Sequence, residues 1–580
     1  MGRYMLSRED HRRLALGALV VVFTVVSVAV AMSGFTGAAG AQGIDSCTTI
    51  TQSGSYELTA DIENATDSDC IEIKASDVTL EGNAHRIIAT SGQSADAISA
   101  SGVSNVEVSN VTVLYWGTGV RFLGVTDSEI TNVVTDRNRS DVFDPGYSVE
   151  FNGISLLGGS NNNVVRDNAL YSPGRSGNVG GSGNGILVDG SNDNRIIDNT
   201  MYGPAYTGVR LWNAERTNLS SNEIEGDRFR GGSRYGIQVG LPGDGSSNDT
   251  VILNNDVLGR TFFSTYDPGL VDGIAVNEGD DTTVEGNRVT ETASEGIVAG
   301  ASGTTVVDNT VRRSGEDGIA VFEPANVADN SVRSSGQRKE SDGIAVRARA
   351  SDTQVTRNSV TSTTGDGLHV DGVSNLTIRN NSFDFNSGWS VRLTSMPGVE
   401  TVASSTLGDT GPVTATGTDF KLGPGSLSGV TLPSRQQDVG LAVAAESTST
   451  AGQVRLEMSY DDSMVSGINE STLSMWRYDG GWSEVAGTNE VNTATNVVVA
   501  ETTSFSQFAP LASNEPPSAS LTAGATTVAP GESTNFNASG SVDPDGTIAE
   551  YRWDFDGDGS VDLITFDPTS SHSFSATGTY

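Results

Sequence analysis

A short phrase, Gly-Ile-x-Val, returns between residues 119 and 370 with an asparagine a fixed distance ahead of it. Clear copies are Gly273-Ile274-Ala275-Val276, Gly318-Ile319-Ala320-Val321, Gly343-Ile344-Ala345-Val346 and Gly367-Leu368-His369-Val370, with looser ones at Gly119, Gly153, Gly185, Gly208, Gly236 and Gly296. Self-similarity at a fixed period restricts a chain to stacked architectures. The asparagines that close the preceding Val-x-x-Asn phrase are Asn83, Asn110, Asn132, Asn168, Asn199, Asn222, Asn255, Asn287, Asn309, Asn330, Asn358 and Asn381. From Asn110 to Gly119, Asn199 to Gly208, Asn287 to Gly296, Asn309 to Gly318 and Asn358 to Gly367 the step is nine residues, and from Asn381 it reaches Ser390. The whole period, about 22 to 25 residues, suits a coil of three short strands and is too short for a propeller blade or a helical pair.

Inward Ile and Val of successive coils stack into an apolar column, and asparagines at equivalent turns are placed to form an amide ladder. The 69 glycines and the abundance of Val, Ile, Thr, Asn and Ser agree with an all-β chain rich in turns. From Cys47 to Asn83 short alternating strands precede the regular repeat, and this segment resembles the entry cap and first coils of right-handed parallel β-helix proteins of the pectate-lyase-like superfamily. The resemblance continues to Leu393 and implies about 12 coils over residues 42–393.

Five steps are stretched: Asn132 to Gly153, Asn168 to Gly185, Asn222 to Gly236, Asn255 to Gly273 and Asn330 to Gly343. Insertions at one point of a coil emerge along one edge of the stack, where they are expected to wall a groove. They concentrate cations and aromatics, among them Tyr147, Arg230, Arg234, Tyr235 and Tyr266, together with Arg338 and Lys339. Aromatic faces and guanidinium forks suit sugars and their carboxylates or sulfates; arginines salt-bridged within long loops are the alternative reading. Alternation turns Arg210, Trp212, Gln238, Asn277, Phe322, Arg347, His369 and Asp371 outward along the same side. Arg210, Trp212 and Asn277 join the loop residues as candidate substrate contacts.

The residue before the glycine is acidic in five successive coils, Asp272, Glu295, Asp317, Asp342 and Asp366. Neighbouring coils lie about 4.8 Å apart, so these carboxylates form a close column that calls for raised pKa values or bound cations. Asp342, Asp366, Arg347 and His369 are the candidate catalytic acids and bases; Asp-Gly is also a common turn dipeptide, and a structural role is the competing reading.

Residues 1–41 read as an export signal, with Arg3, Arg8, Arg12 and Arg13, an apolar run from Leu14 to about Met32 and small residues ending at Ala41. Arg12-Arg13 partly resembles a twin-arginine signal, a general secretory signal fits equally, and an uncleaved anchor is a third option. An extracellular or cell-surface location follows, and Cys47 and Cys70, the only cysteines, are then expected to pair. A formal charge of −38 with only Lys74, Lys339 and Lys421 as lysines repels nucleic acid and resembles haloarchaeal composition.

Beyond Leu393 the repeat fades. Residues 394–512 read as a Gly/Pro/Ser/Thr-rich linker to about Gln437 and then a β-sandwich spacer, whose Trp476, Tyr478 and Trp482 suit a core better than a sugar platform. In residues 513–580, Pro530-Gly-Glu, Asp543-Pro-Asp-Gly546, Tyr551-Arg-Trp-Asp-Phe-Asp-Gly-Asp558 and Gly578-Thr-Tyr580 resemble a polycystic-kidney-disease (PKD) domain. That family continues with a final strand, so this copy is expected to be incomplete. Its Asp554, Asp556, Asp558 and Asp562 have the spacing of a calcium loop, although Thr565 stands where a Glu is expected; a tight Asp/Gly turn is the alternative. Calcium is the one cofactor suggested, and so few His, Met and Cys do not favour copper.

The β-helix resemblance embraces lyases, hydrolases, epimerases and adhesins, and fold alone does not choose. The Gly-His-Gly and paired Asp-Asp of polygalacturonases and the Asp-Pro-His-Asp of uronate epimerases are missing. The expectation is an exported, monomeric β-helix protein that binds, and in one version processes, an acidic polysaccharide; a non-catalytic adhesin or stalk is the alternative. Membrane attachment enters only through an uncleaved signal or a C-terminal anchor.

Overall fold

The computed structural model describes residues 40–580 apart from 66–67, 91–94, 137–150, 172–182, 204–205, 227–234, 242, 244, 260–270, 450–451 and 467. The export-signal segment lies almost wholly outside the described residues. Gln42 opens the first strand, Gln42–Ile44. Among the described residues no helix is long and apolar enough to cross a membrane.

Each coil contributes a strand to each of three parallel sheets. The sheet that carries Gly-Ile-x-Val, here the front sheet, runs from Thr48–Ile50 to Val391–Thr394. Its phrases lie in register, Ile297 on Ile319, Ile319 on Ile344 and Ile344 on Leu368, all fully buried. The Cys47–Cys70 disulfide ties the first front strand to the second.

Proximity, and not a left-handed backbone, demands the glycine of the phrase. A Cβ on Gly343 would stand 2.1 Å from Val360 Cγ1 and 2.7 Å from the Gly367 carbonyl oxygen, and one on Gly318 2.3 Å from Val332 Cγ1. Here the coil bends so tightly that core and neighbouring backbone meet at one point.

The asparagines build a continuous ladder. The Asn309 N–H donates to Asn330 Oδ1 (2.9 Å), while its Nδ2 donates to the same oxygen (3.0 Å) and to the Val284 carbonyl (2.8 Å). The pattern runs from Asn168 and ends at Asn381, whose N–H meets Ser405. Asn83, Asn110 and Asn132 are a correction to the sequence reading. They sit at φ 48°, 53° and 51°, in the turn position that Asp308 and Asp329 fill later; Val133 takes the ladder place and donates to Asn168 Oδ1 at 2.8 Å. Asparagine tolerates the left-handed turn as readily as the ladder, so one residue type marks two adjacent positions.

The helix passes into the sandwich without a break. Strand Glu400–Leu407 pairs in parallel with two helix sheets, Val402 on Ile378 and Leu407 on Phe383, then antiparallel with Val413–Gly417. Phe420–Pro424 likewise adds antiparallel to the last front strand. The passage expected as a linker therefore holds three strands, because Val402, Leu407, Val413, Ala415, Phe420 and Leu422 supply alternate buried positions. One apolar core extends from Ile44 to Ala512. Trp476 and Trp482 pack on Ala442, Ala509 and Leu511.

The PKD segment forms a three-stranded sheet (Thr522–Ala523, Ser533–Asn537, Thr569–Ser573) and a two-stranded one (Tyr551–Trp553, Leu563–Thr565). Ala538, Trp553 and Phe555 fill its core, and Tyr580 stacks on Phe574 with ring centres 4.2 Å apart.

Candidate functional site

Three outward columns run up the front sheet: the residue before the glycine, the one between Ile and Val, and the one after Val. In the last coils the first column is Asp317, Asp342, Asp366. Each carboxylate accepts the backbone N–H one coil on, Asp317 from Asp342 (2.9 Å), Asp342 from Asp366 (2.9 Å) and Asp366 from Trp389 (2.6 Å). The second oxygen takes a cationic or imidazole partner. Arg347 pairs with Asp317, His369 Nδ1 lies 3.1 Å from Asp342 Oδ2, and Arg392 Nη1 lies 3.5 Å from Asp366 Oδ2. His369 Nε2 meets Thr394 Oγ1 at 3.1 Å. Burial pushes the Asp317 and Asp366 carboxyls up; the Asp342 N–H and Arg347 oppose this at Asp317, the Trp389 N–H and Arg392 at Asp366.

Of the four catalytic candidates, Asp342, Asp366 and His369 converge, with one polar atom from each within 4.8 Å of the others. Arg347 is drawn away to Asp317. The first coils repeat the scheme: Asp69 accepts the Asp96 N–H (3.1 Å), and Arg121 pairs with Asp96.

Between these two closed stretches the chemistry of the columns changes. From Phe151–Leu157 to Asp272–Val276 the first column reads Asn152, Asn184, Thr207, Tyr235, Asp272, and the second reads Ser155, Leu187, Arg210, Gln238, Ala275. Asn184 donates through N–H (3.2 Å) and Nδ2 (2.8 Å) to Asn152 Oδ1. Ser155 Oγ, Asn184 Oδ1, Thr207 Oγ1, both amide atoms of Gln238, Asp272 Oδ1 and Asn277 Nδ2 are buried without a hydrogen-bond partner among the described residues. Gln238 and Thr207 are 0% exposed and Ser155 1%. Each such group costs about 1–3 kcal/mol; elsewhere they are scattered, and here they share one face.

Arg210 stands beside Gln238 in register. Its guanidinium carbon lies 4.8 Å from the Trp212 ring centre and 5.5 Å from that of Tyr206. Unlike Arg121, Arg347 and Arg392, it pairs with no carboxylate among the described residues. Asp272 closes the stretch: burial first, and the contacting carboxyl of Glu295 second, push its carboxyl up to about 8.

Tyr147, Arg230, Arg234 and Tyr266 lie outside the described residues, as do most of the stretched segments. In the fifth insertion the cations are answered by the protein itself: Lys339 pairs with Glu316 (2.6 Å) and Arg338 donates to the Ala293 carbonyl (3.4 Å). Ser155, Asn184 and Thr207 were not singled out by the sequence reading, although aligning coils on the glycine shows the first column switching from acid to amide and hydroxyl.

In the PKD segment Asp554, Asp556 and Asp558 bring one carboxylate oxygen each within 4.8 Å of the others, all exposed. Asp562 is not part of that group and accepts the Phe555 N–H (2.7 Å). Asp554 accepts from Gly557 and Gly559, and Asp558 from Ser560, which are turn hydrogen bonds.

Family profiles match three parts of the chain: a right handed beta helix region at residues 272–408, a PKD domain at 514–580, and a periplasmic copper-binding protein (NosD) description at 48–265. The chain is thus a right-handed β-helix protein with a PKD domain. No curated protein matches. Similar solved structures include the periplasmic alginate epimerase AlgG (14% identity, 54% of this chain and 77% of that one, TM-score 0.36). The tailspike of E. coli bacteriophage HK620 with a pentasaccharide matches at 11% identity, 79% of this chain and 87% of that one, TM-score 0.40. The catalytic unit of an alpha-1,3-glucanase from Streptomyces thermodiastaticus matches at 13%, 59% and 63%, TM-score 0.35. These likenesses concern the fold alone.

The residues present do not fit copper. Within residues 48–265 the soft or imidazole donors are Cys70, His85 and Met201. Cys70 is in the disulfide, His85 Nδ1 faces Asp61 at 3.3 Å, and Met201 is 0% exposed in the core.

Proposed function

We propose that this right-handed β-helix protein binds an acidic polysaccharide along the front sheet between Ser155 and Asn277, as an exported, cell-surface or secreted protein. The row of buried polar atoms without partners carries the reading. Sugars present closely spaced hydroxyls that donate and accept, and they match amide and hydroxyl groups held in a rigid row. Arg210 supplies a planar fork for a carboxylate or sulfate. A net charge of −38 argues against nucleic acid as the anionic partner, since its dense phosphates meet the strongest repulsion. The basic, apolar and small-residue order of the first 41 residues and the Cys47–Cys70 disulfide support export.

Binding without turnover is the form the closed columns favour, because the carboxylates and the imidazole of the Asp342–Asp366–His369 group already hold partners within the protein. The test is a glycan array at high salt. Acidic glycans should be retained and neutral ones not, with retention lost in the Arg210→Gln, Gln238→Leu double variant. Retention of no acidic glycan, or undiminished retention by that variant, removes the reading. The absorbance of unsaturated uronates then separates binding alone from lyase activity.

A further inference from the structure

The inference rests on the glycan reading of the front sheet and concerns where a bound chain continues. Along the stack an arginine as a rule reaches a carboxylate one coil earlier. Arg216 Nε lies 2.7 Å from Asp193, Arg288 Nη1 3.0 Å from Asp256, Arg313 Nη1 2.8 Å from Glu291 and Arg357 Nη2 2.6 Å from Asp329. The rule fails at two neighbouring arginines of a side sheet. Strands Thr310–Arg312 and Ser331–Arg333 pair in parallel with Arg312 on Arg333, their backbones about 4.8 Å apart. The same column continues to Thr290 on one side and Thr361 on the other, and the column beside it reads Thr310, Ser331, Ser359.

Both arginines are exposed. Neither pairs with a carboxylate among the described residues; Asp256, Glu291 and Asp329 in the same stretch are taken by Arg288, Arg313 and Arg357. Like charges directly opposite on adjacent strands destabilise a sheet, and a chain with 72 Asp and Glu against 34 Lys and Arg has carboxylates to spare for answering them. An outside oxyanion between the two guanidinium forks relieves that repulsion and meets two planar sets of donors.

The pair also stands within reach of the front sheet. Arg312 and Arg333 end their strands and lead into the front strands Ile319–Val321 and Ile344–Val346. The front strand of Arg210 lies four coils before that of Ile319, about 19 Å along the axis. We propose that Arg312 and Arg333 form a second anion-binding site, which clamps a carboxylate or sulfate of the same acidic polysaccharide. Two anchors on one rigid stack make the second contact intramolecular, so affinity rises once the glycan is long enough to span them.

The test uses the full chain at one fixed ionic strength, with oligogalacturonate for carboxylate and heparin oligosaccharides for sulfate. Each is taken in one length below the span of about 19 Å and one above it, and sodium sulfate serves as the free anion. In the unaltered protein the longer oligomer of whichever series binds should bind about tenfold tighter than the shorter. The Arg312→Gln, Arg333→Gln double variant should lose that gain, keep the affinity for the shorter oligomer and melt at the parent temperature. Arg312→Lys, Arg333→Lys, which keeps the charges without the forks, should recover part of the gain.

An equal gain with length in the Gln double variant overturns the inference and leaves the glycan reading standing. So does a rise in melting temperature with sodium sulfate that needs the pair but comes with no gain from length, an adventitious ion only. Absence of binding by every anionic oligomer overturns the two together.

Discussion

The last coils of the front sheet and its middle coils share one backbone and one register, yet they treat polar groups in opposite ways. Around Asp317, Asp342 and Asp366 each carboxylate receives a backbone N–H from the next coil and a side chain as well. Between Ser155 and Asn277 buried hydroxyl, amide and carboxyl atoms go without. The next coil still reaches back in the middle stretch, where the Asn184 N–H donates to Asn152 Oδ1, but there it leaves other polar atoms of the same side chains unpaired.

Substitutions on the two sides of this contrast should behave differently. The largest effect on stability is expected where a closed pair is opened. Arg347→Met leaves Asp317 buried and without its cation and should cost about 3 kcal/mol in denaturant unfolding, while glycan retention survives. A variant that binds poorly but unfolds normally would place Arg347 with the glycan contacts.

Next comes Asp272. Its folded pKa is raised to about 8 from an ordinary value of 3.8, so its contribution to stability is complete below the lower value and is lost as pH rises toward the upper one. Asp272→Asn should therefore be more stable than the parent by about 2 kcal/mol near pH 9, with the gap closing in acid, as followed by thermal melting. Arg210→Gln should weaken an anionic glycan about tenfold, roughly 1.4 kcal/mol, with an unchanged melting temperature. The smallest effect is assigned to Gln238→Leu. Removing two unsatisfied buried groups should raise stability by about 1 kcal/mol and weaken glycan binding; a loss of stability instead would mean that Gln238 is held by the protein itself.

The fold was legible because Ile and Val at a constant offset from glycine reveal the stacking register, and because each asparagine repeats the role of the last. The first three asparagines misled by one position, since Asn suits both the left-handed turn and the ladder beside it. The acidic column was legible too. Its neutral interruption was visible as Asn152, Asn184 and Thr207, but its meaning was not, because whether a buried amide has a partner depends on the neighbouring coil, 23 to 37 residues away in sequence. Likewise Arg210 and Arg392 both stand between the two inward residues of their phrase, and the carboxylate of Asp366 beside Arg392 separates them.

The strand Glu400–Leu407 bears on a different matter, the finite length of the molecule. A parallel coil stack ends in open backbone edges that invite another copy to continue it, the route by which such architectures polymerise. By joining two helix sheets at once and then reversing against Val413–Gly417, this strand converts a surface that could propagate into one that another coil no longer matches. The sandwich behind it therefore covers that end of the stack, and if this cover is what limits growth, deleting it should give a protein that assembles along its own axis.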